Sequence, residues 1–314
     1  MSWVSKVKHR VHEATATKGA QERPSAKQAA TNRANQNEDE QAALQAARAT
    51  ADRLVGTRNK SPNIAMPARS EPGTRVLNSR FFDPYPRFYE TSETTALPSR
   101  LNLRNEAIFG ENRDIIDGAR VLDIASHDGR WAFAALKQGA RSVVGIEGRP
   151  ELVEFANESL AQYGIESNRY RFIAADIFAE LAEQRIEVDV VLCLGFMYHT
   201  LRWNELMTRI RQCKPKYLII DTAVTDGHRA RVQLKVEDVG EQRNAIVDEF
   251  THGTAVVSGK PTVRALRTIV EAYGFELEKL SDWSALVRDN PEDAVESRDY
   301  ARGYRVTARC RTVD

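Results

Sequence analysis

The sequence has few cysteines, and their spacing excludes the common cysteine-based sites. Cys193, Cys213 and Cys310 lie far apart, and no interval between them has the short spacing of a zinc-ligand pair. Two of them fall in apolar runs of strand-like or helical pattern. We therefore expect buried free thiols in a reducing compartment, which favours a cytoplasmic protein.

Long apolar runs are also lacking. No stretch approaches the length that crosses a bilayer, and the amino terminus has no continuous apolar segment of the signal-peptide kind. Apolar residues still make up 42% of the 314 positions, which is enough for a well-buried core. A cytoplasmic globular protein without a transmembrane segment is expected.

Aromatic residues are almost absent from the first quarter of the chain. Before Phe81 only Trp3 occurs, and residues 14–35 are rich in Ala, Gln, Thr, Lys and Asn. Such a segment buries too little to offset the entropy of ordering. Residues 1–80 are therefore predicted to be a basic low-complexity extension and linker, disordered or partly helical, with a helix candidate at 38–55.

The charge is small in total but unevenly placed. The whole chain carries a formal charge of +1, whereas residues 1–70 hold 12 Lys and Arg against 6 Asp and Glu. The remainder is therefore acidic, and it has no continuous basic stripe. The basic extension could contact tRNA or another anionic surface, and a frayed, solvated terminus is the alternative. The oligomeric state is left open.

From residue 81 onward, apolar strand-like runs alternate with amphipathic helical patterns. Strands are predicted at 120–124, 142–146, 170–174, 188–194 and 217–220, and helices at 130–139, 150–163, 178–185 and 202–213. A helix at 262–273 precedes strands at 275–280 and 303–310, which have no obvious helix between them and should pair antiparallel at the sheet edge. The pattern predicts an α/β fold with a doubly wound, Rossmann-like, mostly parallel seven-stranded sheet.

A turn follows the first strand and opens a helix. Asp123 stands near the strand end, and Ala125, Ser126, His127 and Gly129 follow it before the helix begins. A helix amino terminus at the end of a parallel strand presents unpaired N–H groups and a positive dipole end to an anion. The turn is therefore a candidate site for a nucleotide-like ligand.

Two later strands also end in acids. Glu147 closes the second strand, 24 positions after Asp123, and Asp176 follows the third. A carboxylate at such a place can accept two ribose hydroxyls. A helix cap or a solvated loop acid is the alternative for each residue taken alone. Three acids at consecutive strand ends favour a ligand site.

This order of elements resembles the class I S-adenosylmethionine-dependent methyltransferases over about residues 97–311. The family's first motif is an acid followed by three alternating glycines, and it matches Asp123, Ala125, His127 and Gly129. Only one of the three glycines is retained, although glycine adopts positive φ most freely. An NAD-dependent dehydrogenase would share the first two acids, but the G-x-G-x-x-G fingerprint is missing.

The resemblance implies S-adenosyl-L-methionine as cofactor. Glu147 would accept its ribose hydroxyls and Asp176 its adenine amino group, while Arg100 could face its carboxylate. The cofactor-binding residues expected in full are Arg100, Asp123, Ala125, Ser126, Gly129, Glu147, Gly148, Asp176, Ile177 and Leu194. Phe88 and Tyr89 could close over the cofactor, with core packing the favoured role for Phe88.

After the fourth strand, the tract 195–199 resembles the tRNA wobble-uridine carboxymethyltransferases and related small-molecule O-methyltransferases. A neutral imidazole can take the proton of a hydroxyl acceptor. His199 and its neighbour Tyr198 are therefore the leading catalytic candidates, with His127 and His252 as further possible bases. A histidine that only binds a neighbouring loop is an equal alternative for His199.

No metal is predicted. Asp221, Asp226 and His228 could supply an oxygen-rich magnesium site, but two acids in a loop are more often turn formers.

Residues 223–260 are too long for an ordinary connection, and Val232, Leu234 and Val236 alternate there with polar residues. We expect a methyltransferase domain at 81–314, with 223–260 as a small β-insertion over the active site.

Three functions are compatible with these residues. The leading prediction is S-adenosylmethionine-dependent O-methylation of a small molecule, such as a sugar or another specialised metabolite. A tRNA-modifying (carboxy)methyltransferase that uses the basic extension to hold RNA is the first alternative. A catalytically silent cofactor-binding or scaffold protein that has kept the fold is the second.

Overall fold

The computed structural model describes residues 80–90, 98–241 and 244–313. The chain divides into two units, Met1–Ser70 and Glu71–Asp314, and the description concerns the second. The predictions for the basic extension, including the helix at 38–55, lie outside the described residues. No helix in the described ranges is long and apolar enough to span a membrane.

The elements of the described chain follow the predicted alternation. The strands are β1 Arg120–Ile124, β2 Ser142–Glu147, β3 Tyr170–Ala174, β4 Val190–Leu194, β5 Tyr217–Ala223, β6 Val232–Asp238, β7 Ala255–Pro261, β8 Phe275–Leu280 and β9 Arg305–Thr312. The helices are α1 Arg87–Glu90, α2 Pro98–Ile108, α3 Arg113–Ile116, α4 Arg130–Lys137, α5 Pro150–Gln162, α6 Ile177–Glu183, α7 Trp203–Gln212, α8 Val263–Ala272, α9 Trp283–Asp289 and α10 Arg298–Ala301.

Seven strands form one sheet in the order β3-β2-β1-β4-β5-β9-β8. The first five are parallel, and β9 runs antiparallel to both of its neighbours. The predicted α/β fold is confirmed, with the antiparallel strand one place in from the edge. The chain moves outward in one direction from β1 to β3 and in the other from β4 to β5. This reversal opens a crevice at the carboxyl ends of β1 and β4.

Both faces of the sheet are buried, which explains the continuous apolar runs. Along β4, Val190 and Leu192 face the apolar cluster that contains Phe133 of α4. Val191 of the same strand faces the opposite cluster, which contains Leu206 of α7. Because successive side chains of a strand point to opposite faces, every position of β4 contributes to burial.

The connection between β8 and β9 differs from the sequence prediction. No helix was predicted there, yet α9 and α10 both form within it. Asp282 caps α9 by accepting a hydrogen bond from the Ala285 N–H at 2.9 Å. Trp283 and Tyr300 stack with ring centroids 3.6 Å apart, in a small apolar cluster with α2. Two short helices are therefore held by tertiary contact, which a periodicity argument does not detect.

A separate two-stranded sheet, β6 with β7, follows β5. The alternating run that predicted a strand at Val232 to Val236 is β6. Its apolar side chains point outward, since Leu234 is 65% and Val236 67% exposed, whereas Glu237 is 1% exposed. The one fully buried side chain of β6 is therefore an acid.

The three cysteines are buried free thiols, as expected from their apolar surroundings. Burial raises the pKa of Cys193 to about 12 and that of Cys213 to about 11. All three are therefore neutral core side chains at neutral pH.

Candidate active site

The turn between β1 and α4 keeps left-handed backbone at all three positions of the alternating pattern. The φ angles are 55° at Ala125, 51° at His127 and 77° at Gly129. A residue with a Cβ pays roughly 1–2 kcal/mol for this conformation. At Gly129 even an alanine is excluded, because its Cβ would lie 2.8 Å from the Cβ of Ala156. The turn thus keeps the backbone conformation of a glycine-rich turn, with strained backbone at Ala125 and His127.

Hydrogen bonds to the end of β2 hold this turn in place. The Ser126 N–H donates to the Ile146 carbonyl at 3.0 Å. The His127 N–H donates to Glu147 Oε2 at 3.0 Å, and the Arg149 N–H donates to Glu147 Oε1 at 3.1 Å. Glu147 is 3% exposed. One buried carboxylate therefore joins the turn after β1 to the turn after β2.

The two turns open onto a cleft at the carboxyl ends of the strands. Its empty volume is about 1080 Å³, including the part open to solvent. The sequence-predicted residues that line it are Arg100, Ala125, His127, Glu147, Gly148, Ile177, Leu194, Tyr198 and His199. The predicted residues outside its lining are Asp123, Ser126, Gly129 and Asp176. The structure thus brings acids, histidines and arginines from distant segments to one place.

Asp176 lies at the start of α6 and caps it. Its Oδ1 accepts a hydrogen bond from the Ala179 N–H at 2.9 Å. This is the helix-cap role that the sequence left as the alternative to an adenine contact.

Asp123 is buried near the start of α4 and is 1% exposed. Neither of its carboxylate oxygens has a partner at full hydrogen-bond geometry within the described residues. Burial raises its pKa well above the usual range, and the nearby charge of Glu147 raises it further, while the Ala132 N–H opposes the rise. A buried acid left in so costly an environment is typical of functional sites.

His199 lies in a 3₁₀ turn after β4 and contacts an acid from the β6–β7 sheet. Its Nδ1 lies 2.7 Å from Glu237 Oε2, and its side chain is 16% exposed. Glu237 also accepts hydrogen bonds from the Ala245 N–H and from Lys235 Nζ, each at 3.1 Å. Burial would raise the pKa of Glu237, but the hydrogen bond and charge of His199, aided by Ala245 and Lys235, lower it to about 2.

The protonation state of Glu237 determines the tautomer of His199. An ionised carboxylate only accepts hydrogen bonds, so the imidazole nitrogen facing it, Nδ1, carries the proton. In the neutral ring, Nε2 is then an acceptor. This arrangement is that of a general base oriented by an acid.

Asp221, a candidate metal ligand, is instead surrounded by donors. Its oxygens accept hydrogen bonds from the Tyr300 hydroxyl and from Thr307 Oγ1, each at 2.8 Å. Arg305 Nε donates at 2.9 Å and Arg104 Nη2 at 3.2 Å. Burial would raise the pKa of Asp221, but the two arginines and the Tyr300 hydroxyl lower it to about 2. Asp221 is thus an ionised acid that anchors two arginines.

The remaining candidates lie outside the cleft. Asp226, His228 and His252 are exposed. Phe88 is fully buried against Phe82 and Phe133 in the core. Within the residues described, no group of three His, Cys, Asp or Glu side chains could hold a metal ion.

Tyr89 and Arg100 both donate hydrogen bonds to acidic side chains of the protein. The Tyr89 hydroxyl donates to Asp83 at 2.9 Å, away from the cleft lining. Arg100 lines the cleft but binds Asp299 with two hydrogen bonds, at 2.6 and 2.7 Å. Its charge is therefore already paired within the protein.

Sequence reasoning missed about half of the cleft. The residues it did not predict as site residues are Arg104, Arg130, Trp131, Arg149, Gly195, Phe196, Asn244, Ala245, Ile246 and Arg305. Gly195 and Phe196 belong to the tract 195–199 that carried the resemblance, so a motif argument could have included them. Glu237 could have been noticed as the acid ending an alternating strand. No sequence signal distinguishes Arg104 or Arg305 from other arginines.

A loop after β6 covers one wall of the cleft. We call residues 244–250 the cover loop. Arg149 Nη2 donates to the Asn244 carbonyl at 2.9 Å, and a Cβ at Gly148 would collide with Ile246. Arg202 of the β4–α7 loop contacts the other end of the cover loop. The end of β2 and the cover loop therefore form one continuous wall.

Residues 121–215 match a protein-family model described as a methyltransferase domain. The match runs from β1 through α7 and includes both turns and His199. This part of the chain is therefore similar to the S-adenosylmethionine-dependent methyltransferase domains. The cofactor of this family is S-adenosyl-L-methionine.

Curated relatives match the same region at low identity. The chain is 31% identical over 132 residues to a 23S rRNA (uracil(1939)-C(5))-methyltransferase of Shewanella amazonensis, covering 38% of this chain and 29% of that protein. It is 25% identical over 132 residues to a tRNA U34 carboxymethyltransferase of Pseudomonas fluorescens, covering 41% and 40%. It is 29% identical over 125 residues to a ribosomal protein L11 methyltransferase of Alteromonas mediterranea, covering 40% and 39%.

These matches span less than half of each relative. The acceptors in the names of these relatives also differ: an rRNA, a tRNA and a ribosomal protein. The shared region is therefore informative about the methyltransferase domain and not about the acceptor.

The groups on the cleft wall fit S-adenosyl-L-methionine. Glu147 Oε1 accepts hydrogen bonds from the Arg149 N–H and, at 3.4 Å, from Arg149 Nη1, whereas Oε2 accepts only the His127 N–H among the described residues. A carboxylate oxygen can accept a second hydrogen bond, so Oε2 has room for one from a ribose hydroxyl. Gly148 has no side chain to obstruct this approach. Ile177 and Leu194 offer apolar surface for an adenine, and the arginines of the lining suit a carboxylate.

Proposed function

We propose that the protein transfers a methyl group to a hydroxyl of a small molecule, such as a sugar or another specialised metabolite. His199 is the general base of this reaction. The observation that carries the proposal is the 2.7 Å pair between His199 Nδ1 and Glu237 Oε2 in the cleft. A hydroxyl acceptor must lose its proton, and a histidine oriented by an acid can take that proton.

When bound, S-adenosyl-L-methionine supplies a methyl group activated by its sulfonium. His199 takes the hydroxyl proton on Nε2, while its Nδ1–H continues to donate to Glu237. The negative charge of Glu237 then stabilises the imidazolium that forms. General-base catalysis of this kind contributes about 10²- to 10⁴-fold in rate, and alignment of the reactants contributes the larger share.

Two observations support a small acceptor. The cover loop and the end of β2 close one wall of the cleft, through Ile246 against Gly148 and through the Arg149–Asn244 hydrogen bond. In addition, residues 71–314 carry a net negative charge, which disfavours a long polyanion.

An RNA acceptor is the alternative, and two relatives favour it. These relatives are an rRNA methyltransferase and a tRNA carboxymethyltransferase. The basic segment 1–70 would then supply phosphate contacts.

The proposal is tested by methyl transfer from labelled cofactor to a panel of hydroxylated small molecules and to purified tRNA. We expect label in a small molecule, and a fall in kcat of about 10²- to 10⁴-fold in His199→Gln. Affinity for S-adenosylhomocysteine, measured by calorimetry, should be unchanged in that variant.

Glu237→Gln tests the orienting acid. The pH profile of kcat should shift to lower pH, because the amide removes the negative charge that favours the imidazolium. Glu276→Gln is the matched control, since Glu276 is exposed on β8 and pairs with Arg311. Label in tRNA alone, with salt-sensitive binding that needs residues 1–70, would support the RNA alternative.

A further inference from the structure

Two arginines of the cleft share one carboxylate. Arg104 Nη2 and Arg305 Nε donate to the same oxygen, Asp221 Oδ1, at 3.2 and 2.9 Å. The other close partners of Asp221 are the neutral hydroxyls of Tyr300 and Thr307. Two guanidinium charges therefore face one negative charge at a site where Asp221 is fully buried.

Among the residues that the structure describes, no other acid of the cleft offsets this surplus. The remaining cleft arginines each face an acid of their own: Arg100 faces Asp299, Arg130 faces Asp128, and Arg149 faces Glu147. His199 and Lys235 share Glu237. Asp123 has a pKa raised by burial and by Glu147, which favours its neutral form. The unbalanced positive charge thus lies at Arg104 and Arg305.

The two arginines reach different parts of the cleft. The Arg104 guanidinium lies 4.7 Å from the ring centre of Trp131, in the first turn of α4. The Arg305 guanidinium lies 4.8 Å from the ring centre of Tyr198, whose ring centre is 4.1 Å from that of His199. Arg305 is therefore on the side of the proposed base.

Arg305 lines the cleft beside the loop after β4. Its Nε binds Asp221, while its Nη2 lies 3.5 Å from the place that a Cβ at Gly195 would occupy. Gly195 has a φ of 87° and no side chain to cover the guanidinium. A side-chain hydrogen bond with Tyr198 also holds the Arg305 guanidinium on the His199 side of the cleft. A ligand that lies next to His199 in this cleft can thus meet Arg305.

We propose that the acceptor bears an oxyanion, either a carboxylate or a phosphate ester, and that Arg305 binds it beside His199. The inference rests on the proposed function, because it names the chemical class of that acceptor. An oxyanion balances the surplus charge, and a guanidinium binds it through charge-assisted hydrogen bonds. A hydroxyl on the same molecule is then held near His199 Nε2.

The test uses the full chain saturated with S-adenosylhomocysteine and four small probes. Benzoate is compared with benzamide, and phenyl phosphate with phenol, by calorimetry. At least one anion should bind about tenfold or more tightly than its neutral counterpart, the effect expected for one charged hydrogen bond. The two pairs distinguish a carboxylate site from a phosphate site.

Two variants test whether the preference for the anion comes from the two arginines that share Asp221. Arg305→Gln should abolish the preference for the anion by removing the binding group. Arg104→Gln should also reduce the preference for the anion, because the charge of Asp221 then neutralises Arg305 alone. This variant keeps the Arg305–Asp221 pair, so it still tests the inference if Arg305→Gln does not fold. Arg309→Gln is the matched control: Arg309 lies on the same strand, pairs with Asp114 and Glu278, and should retain the preference.

Equal binding of anion and neutral probe in the unmodified protein would overturn the inference while leaving the proposed function intact. So would an Arg104→Gln or Arg305→Gln protein that loses affinity for S-adenosylhomocysteine but not for 5′-methylthioadenosine, which lacks the amino-acid carboxylate. That outcome would assign the arginines to the cofactor. Absence of S-adenosylhomocysteine binding in the unmodified protein would overturn both proposals.

Discussion

Ala125 and His127 occupy left-handed backbone in the turn that precedes α4. Both residues carry a Cβ, and each therefore adds roughly 1–2 kcal/mol of local strain. The hydrogen bonds of the turn to Ile146 and Glu147 hold this conformation. Strain that the surrounding structure enforces is typical of ligand sites. It also places the imidazole of His127 in the lining of the cleft.

Asp123→Asn is expected to stabilise the ligand-free protein at pH 7, by roughly 1 kcal/mol or more. Burial and the charge of Glu147 raise the pKa of Asp123 in the folded protein above its value near 4 in the unfolded chain. Protonation of Asp123 therefore stabilises the folded state, and this stabilisation is complete only below the unfolded pKa. It is lost as the pH rises through the folded pKa. Urea unfolding at pH 4 and pH 7 should therefore show a larger gain for Asp123→Asn at pH 7.

A gain at pH 7 equal to that at pH 4 would contradict this account of Asp123. Asp117→Asn is the control, because Asp117 is exposed in the turn before β1. Its substitution should leave the pH dependence of unfolding as it is.

At the scale of elements, the cover loop is held by an arginine of the β4–α7 loop. Arg202 Nη1 lies 3.3 Å from Asp248, and its Nη2 lies 3.1 Å from Glu249. The guanidinium also lies 4.9 Å from the ring centre of Phe250. Ile246, in the same loop, rests against Gly148 at the cofactor end of the cleft. The contacts of Arg202 thus keep the loop on the cleft.

Arg202→Ala is expected to speed the dissociation of S-adenosylhomocysteine several-fold, because the cover loop loses its ties and opens more often. Thermal stability should also fall, because the Arg202 side chain is only 14% exposed, pairs with Glu205 as well and lies 3.8 Å from the ring centre of Phe178. Stopped-flow displacement measures the dissociation rate. Arg209→Ala in α7 removes a comparable ion pair, with Glu205, away from the loop and should dissociate at the unmodified rate. An unaltered rate in Arg202→Ala would refute a covering role.

The whole molecule positions the site through its strand order. Because β4 lies next to β1, the loop that carries Tyr198 and His199 meets the turn that carries Ala125 and His127. The β6–β7 sheet then brings Glu237 to His199, and β9 brings Arg305 to the same cleft. Segments that are far apart in the chain therefore build one site.

Binding at this site should stabilise the entire domain. S-adenosylhomocysteine at 100 times its Kd is expected to add about 2.7 kcal/mol to the unfolding free energy. Glu147→Ala should lose most of that gain at the same concentration, because the ribose acceptor and the support of the turn are both removed. Thermal unfolding with and without ligand measures the difference. If S-adenosylhomocysteine stabilises Glu147→Ala as much as it stabilises the unmodified protein, Glu147 does not bind the ribose.

Much of the fold was predictable from the sequence, because its strands and helices are indicated by residues close together in the chain. Runs such as 120–124 and 170–174 are apolar, short and bounded by helical patterns, so β1 and β3 could be located from sequence. The helices α9 and α10 were missed because their stability comes from the stacking of Trp283 on Tyr300. Contacts between residues far apart in sequence leave no periodic signal.

The sequence predicted the site residues that follow strands β1 to β4, but it did not predict the arginines that other elements contribute. Glu147 and His199 stand at strand ends, where parallel strands bring side chains to one edge. Arg104 belongs to a helix that precedes the sheet, and Arg305 belongs to the strand inserted beside β5. Their presence in the cleft depends on the shared carboxylate of Asp221, which is a long-range contact.

The sequence by itself determined the alternating elements, the acids at the strand ends and the methyltransferase resemblance, because each depends on residues close together in the chain. Only the tertiary structure decided that Glu237 lies against His199 and that Ala125 and His127 take glycine-like backbone. These features depend on burial and hydrogen bonds between distant segments, which form only when the sheet is assembled.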